Sequence, residues 1–204
     1  MTEEIFSVMG IAWGIGGILG FALFILGGFA IYKMSQQIGL KHSWISFIPF
    51  VQCFCLGRIA ERYIKKDGTK STKFSLILLI FNILQFIFAI VFFVLLIISI
   101  LSIIVNIEDA VVNDIEITLS MFSSFIPVIV FYFVLIAFAI IYKVFYYIAL
   151  WRVFAIFDNS NATVYLILSI FSSVLSPIFL FVIRNNNAAF DYKSRLGYFE
   201  LEQV

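Results

Sequence analysis

Cys53 and Cys55 form a C-x-C pair inside the apolar stretch WISFIPFVQCFCLG, residues 44–57, and His42 is the only histidine in the chain. A structural zinc shell takes four Cys or His ligands, so these three residues cannot complete one, and the pair reads as packing cysteines. A cytoplasm-facing position would also keep them reduced. With one histidine there is little for acid–base work near neutral pH, and the chain has no Ser-His-Asp arrangement, HExxH or P-loop pattern. Enzymatic activity is not expected, and neither is a metal or a cofactor. Glu108, Asp109, Asp114 and Glu116 lack EF-hand spacing and read as a solvated face.

Three groups of residues remain as candidates for contact rather than catalysis. Asn82 and Gln85 lie at i and i+3 in an otherwise apolar run, so their amides share a helix face; they are expected to bond another helix, with a solute or ion path as the alternative. Gly10/Gly14 and Gly16/Gly20 have GxxxG spacing, which lets a second helix approach closely, within the chain or from a partner. Arg58, Arg62, Lys65 and Lys66 are expected on a polar helical surface with Glu61, ahead of a turn at Asp67-Gly68. Basic residues beside a membrane attract anionic lipid or a cytosolic partner.

These residues need elements to hold them, and composition names the class. Hydrophobic residues make up 63% of the 204-residue chain and charged residues 12%, against roughly 45–50% and 25% in soluble globular domains. A single integral membrane domain over 1–204 is expected. The net charge of +1 gives no reason to expect a nucleic-acid partner. MTEEIFSVMG lacks a basic n-region and the apolar run after it is too long for a signal peptide, so a retained span is expected there.

Spans are expected over 8–32, 74–105 and 125–157, the second capped by Ser71 or Thr72 and the third with Pro127 in its first turn. Eight Lys or Arg lie between the first two spans, whereas 106–124 has four carboxylates and no basic residue. The positive-inside rule then puts the N-terminus outside and the basic connection in the cytoplasm. Residues 44–57 must begin and end on one face, and as a helix would reach only about 21 Å. A re-entrant hairpin broken at Pro49 is expected. Residues 162–183 could return in the same way, leaving the C-terminus cytoplasmic, or make a fourth span. FAIYK at 29–33 and FAIIYK at 138–143, each followed by an apolar proline-containing segment closing on Arg58 or Arg184, suggest a parallel repeat. Tyr142, Tyr146, Tyr147 and Trp151 are expected in an interfacial belt, with Lys143 snorkelling beside them. Residues 106–122 have the spacing of an amphipathic helix lying on the outer surface.

HSWISFIPFVQCFCLGRIAERY and YYIALWRVFAIFDNSNATVYLILSIFSSVLSPIFLFVIRN resemble two stretches of small, uncharacterised polytopic membrane proteins of low-GC Gram-positive bacteria. The W-x-x-x-I-P and P-I-F-L-F-x-x-R-N wording carries the resemblance over about a third of the chain. It implies a bacterial plasma-membrane protein and no particular activity. The fold expected is an all-α polytopic membrane bundle: three transmembrane helices, a proline-containing re-entrant hairpin, and a fourth apolar return or span. The function expected is that of a non-enzymatic accessory or interaction subunit, in contact with membrane lipids, another membrane protein or a second copy. The alternative is a small oligomeric transporter or channel with Asn82 and Gln85 on its path.

Overall fold

The computed structural model describes residues 2–64, 73–109 and 114–190. Lys65, Lys66, the expected cap at Ser71 or Thr72, the Asp67-Gly68 turn and the tail beyond Phe190 lie outside the described residues. Every regular element among the described residues is helical. Helix α1 is Thr2–Gln37, a 3-10 helix η1 is Ser43–Phe47, and α2 is Val51–Ala60; α3 is Phe74–Asp109, α4 Asp114–Phe157, α5 Ala162–Phe171 and α6 Leu175–Ile183. Three of them contain stretches long and apolar enough to cross a membrane, Trp13–Gln37, Phe74–Ser102 and Phe125–Phe157.

The chain divides into two compact units, one from Met1–Leu79 with Phe145–Val204 and the other Ile80–Val144. In the first, α1 packs against α6, η1 and α2, and α5 against α6. Its buried interior is made from the last turns of α4 (Ala149, Leu150 and Val153 to Phe157), Ala30, Ile31 and Met34 of α1, Leu56 and Ile59 of α2, and Leu180 and Ile183 of α6. The second unit is an antiparallel pair of helical stretches zipped by rings. Phe81 stacks on Phe138 with centroids 4.9 Å apart, and Phe88 meets Phe131 at 5.9 Å and Phe138 at 5.1 Å. Phe81 and Phe88, like Phe131 and Phe138, are seven residues apart, two helical turns, so the same faces keep meeting.

Only 6% of the apolar window of α3 and 11% of that of α4 is buried. In water so much bare Ile, Phe and Val would favour association, whereas lipid tails solvate it without penalty.

Both short apolar segments are broken. Between η1 and α2, Ile48 is extended at φ −86°, ψ 124°, ahead of Pro49, and Phe50 takes a left-handed φ of 69°. The residue before proline is pushed out of the helical region by the ring. Between α5 and α6, Ser172 is extended at φ −139°, ψ 112°, and Pro177 sits in the first turn of α6, where its missing N–H costs little. Each unit of the suspected repeat thus has the order long helix, short helix, break, short helix.

The two ends of the second segment meet, and the chain that follows the first segment joins them. Ser43 Oγ donates to Leu40 O just after α1, and Ile64 N donates to Phe190 O. Ala189 N and Asn186 Nδ2 donate to Ile156 O and Phe157 O, at 2.8 and 3.2 Å. These are two of the four carbonyls that a helix C-terminus leaves without partners. Gln37 Nε2 donates to Arg184 O at 3.1 Å, so the ends of α1 and α6 lie together. The chain that leaves α4 at Phe157 therefore comes back to the same turn after α6.

Several local expectations are corrected. α2 stops at Ala60, and Glu61 is not on a basic helical surface: its Oε1 accepts from Ser75 N at 2.9 Å and Ser75 Oγ at 2.6 Å, capping the first turn of α3. The third apolar stretch begins at Phe125 as expected, but the helix that carries it opens at Asp114, so Pro127 lies inside α4 and not in its first turn. Of the stretch 106–122 expected to be amphipathic, 110–113 lie outside the described residues; Asn106–Asp109 belong to α3, and the residues from Asp114 belong to α4.

Candidate functional site

Glycine decides where the two broken segments dock. Gly27 and Gly28 lie side by side on α1. A Cβ on Gly27 would stand 2.9 Å from Gln52 Nε2 and 3.3 Å from Pro177 Cβ, and one on Gly28 would stand 3.0 Å from the Phe47 ring. A side chain at either position would displace the Gln52 amide or crowd Pro177 and the Phe47 ring, so glycine lets both segments come close to the helix axis. The contact is sealed by hydrogen bonds to α1 carbonyls: Ser46 Oγ donates to Gly28 O at 3.2 Å, and Gln52 Nε2 to Phe24 O at 3.4 Å. Phe29 meets Phe47 edge to face at 5.0 Å.

A cavity of about 280 Å³ opens beside this junction. Gln52 comes from just after the first break, Ser173 from within the second, Ser176 and Pro177 from the start of α6, and Tyr146 from α4, with Gly27 as part of the α1 wall. Tyr146 Oη and Ser176 Oγ are 3.1 Å apart and share a hydrogen bond. No Asp, Glu, Lys, Arg or His is among the lining residues. The arrangement offers an amide and hydroxyl groups on an otherwise apolar wall. That chemistry suits a small uncharged molecule with a few hydrogen-bonding groups, and the volume is at the small end of ligand pockets.

Asn82 and Gln85 are placed elsewhere, in the second unit. Asn82 Nδ2 donates to Tyr142 Oη at 3.2 Å, an interhelical bond of the kind expected, and Gln85 is half-buried nearly one turn further on. Among the described residues nothing stands within 4 Å of a Cβ added at Gly10, Gly14, Gly16, Gly17 or Gly20. Among those residues, close packing on α1 therefore falls at Gly27 and Gly28 and not at the GxxxG pairs. Arg58 and Arg62 are exposed, and the Arg58 guanidinium lies 5.4 Å over the Phe54 ring. Cys53 is half-buried and Cys55 buried, and neither is in a disulfide.

The aromatic belt is largely turned inward. Besides Tyr142 and Tyr146, Tyr147 Oη donates to Ser169 O at 3.4 Å, and Trp151 meets Tyr63 at 5.7 Å. Arg152, which sequence reasoning passed over, is half-buried with its guanidinium 4.4 Å over the Phe74 ring. Gln52 and Tyr146 were also missed as site residues. Gln52 had a visible signal, as the one amide in the apolar stretch 44–57; Tyr146 had none, because tyrosines near a helix end read equally well as a belt.

No protein-family model, curated protein or solved structure matches this chain.

Proposed function

We propose that this chain is a non-enzymatic multi-pass protein of a bacterial plasma membrane, that both broken segments are re-entrant from the cytoplasmic side, and that the cavity between them binds and passes a small uncharged solute. The observation that carries the reading is the convergence of the start of α2, just after the first break, and of the second break on one cavity beside Gly27, whose apolar wall carries an amide and hydroxyl groups. In lipid, irregular backbone at depth is tolerated where it is covered by protein or lines a cavity. Discontinuous helices meeting near the bilayer midplane are a recurrent way to build a solute site.

Re-entrance is supported by the meeting of ends at Gln37, Arg184, Phe157 and Asn186, while Gln52 reaches back to Phe24, about 20 Å along α1 from Gln37. That depth is more than half of a hydrocarbon core of about 30 Å. The excess of Lys and Arg between α1 and α3 supports a cytoplasmic location for these ends, with the N-terminus outside. Uncharged lining groups argue against ion coupling within the cavity.

The test is permeability of proteoliposomes to glycerol and urea, followed by light scattering after an osmotic step. Permeability above that of protein-free vesicles, reduced at least several-fold by Gln52→Leu or by filling the cavity with Gly27→Leu, is expected. Rates equal to empty vesicles for the wild-type chain would overturn the solute reading. The open glycine face of Gly10, Gly14, Gly16 and Gly20 favours a second reading, an accessory subunit that packs against another membrane protein or a second copy. A stoichiometric chain that co-purifies and is lost in Gly14→Leu would support that reading.

A further inference from the structure

We propose that a second cavity, where α1 ends against α6, is a binding site for the phosphate of an anionic phospholipid. It has a volume of about 440 Å³ and is lined by Phe29, Tyr32, Lys33 and Gln36 of α1 with Phe181 and Arg184 of α6. α1 and α6 are packed together, and Gln37 Nε2 holds Arg184 O, so the walls are fixed relative to each other. Two cations from different helices face one space, and among the described residues neither is in an ion pair. Arg184 lies over the Phe181 ring at 3.3 Å and donates Nη1 to Phe181 O, which holds its guanidinium in place while leaving most of its five N–H donors for another acceptor. Gln36 Nε2 donates to Tyr32 Oη at 2.6 Å, so the tyrosine's own hydrogen is free to point at an anion.

The neighbouring chemistry selects a lipid over a soluble anion. Phe29 is 52% exposed, and Phe29 and Phe181 lie about one turn before Lys33 and Arg184, towards the apolar lengths of α1 and α6. A ligand that fills the site must be amphiphilic, with its phosphate between Lys33 and Arg184 and its glycerol and acyl stem along the two rings. Two cations without counter-ions call for a net negative headgroup. A zwitterionic lipid brings its own cation and has less to gain. The site differs from the basic connection at Arg58 and Arg62, which are exposed on α2 and beyond it, and it is independent of what occupies the smaller cavity. It does rest on the membrane placement proposed above.

The experiment is native mass spectrometry of the full-length chain released from detergent after equilibration with phosphatidylglycerol, phosphatidylcholine or inorganic phosphate. A bound phosphatidylglycerol is expected, in preference to phosphatidylcholine, weakened about fivefold by Lys33→Gln or Arg184→Gln and about twenty-fold by both together. Arg58→Gln with Arg62→Gln should leave it in place, and Lys33→Arg should retain it, which separates loss of charge from loss of fold. Retention of phosphatidylglycerol by the double variant, or its displacement by inorganic phosphate alone, would overturn the proposal. Recovery of every variant in the membrane fraction distinguishes failure of this site from failure of the membrane placement.

Discussion

At Gly57, an added Cβ would stand 2.5 Å from the Cα of Ser75 and 2.6 Å from its N, both backbone atoms that cannot rotate away. Gly57→Ala must therefore push α2 off the start of α3, and overpacking of this kind costs about 1–3 kcal/mol or more. Gly16→Ala meets open space and gains helix propensity of about 1 kcal/mol. Thermal unfolding in detergent should show Gly57→Ala markedly less stable and Gly16→Ala unchanged or more stable; equal midpoints would mean that the contact at Gly57 does not hold. The sequence pointed to Gly16, by its GxxxG spacing, and not to Gly57. What separates them is the neighbour each meets, which a spacing pattern cannot contain.

The turn between α4 and α5 is organised by one carboxylate. Asp158 accepts from Ser160 Oγ at 2.6 Å, Asn161 N at 3.3 Å and Tyr165 Oη at 3.1 Å, so it fixes the direction in which the second broken segment leaves α4. Burial alone would raise its pKa, but the hydrogen bonds from Ser160, Asn161 and Tyr165 outweigh burial and hold it below the usual carboxylate range. Because the folded value lies below the unfolded one, its contribution is fully present above the unfolded range near 4 and is lost as pH falls through the folded value. Acid unfolding of Asp158→Asn should start from lower stability at neutral pH and lose the part of the pH dependence that Asp158 supplies. A curve parallel to wild type would remove Asp158 from that role. The break at Pro49 was legible because proline acts on its own neighbours; the Glu61 cap on α3 was not, because the acceptor lies fourteen residues away from Ser75.

For the molecule as a whole, the proposed topology fixes which sites share a side of the membrane. In a chain whose Cys53 and Cys55 are replaced by Ser, single cysteines at Lys41 and Asn185, both exposed, should react with a membrane-impermeant maleimide only after cells are opened. A cysteine at Asn113, in the acidic connection, should react in intact cells. Labelling of the Asn185 variant from outside would make 162–183 a complete span and would sink the paired re-entrant design.

Composition and charge placement by themselves determined a helical chain with three apolar helices long enough to cross a membrane, because lipid imposes length and forbids unpaired backbone whatever the tertiary contacts. The break at Pro49 was a local property too, whereas 162–183 read as either a return or a complete span, and its break at Ser172 was not placed by the sequence. The tertiary structure alone decided that Gly27, Gly28 and Gly57 are the glycines that other segments press against, that Gln52, Ser173, Ser176 and Tyr146 line one cavity, and that Lys33 and Arg184 line a second. Each of those facts joins residues far apart in the chain, and the apolar pattern that sends a segment into lipid does not specify which neighbour it will meet there.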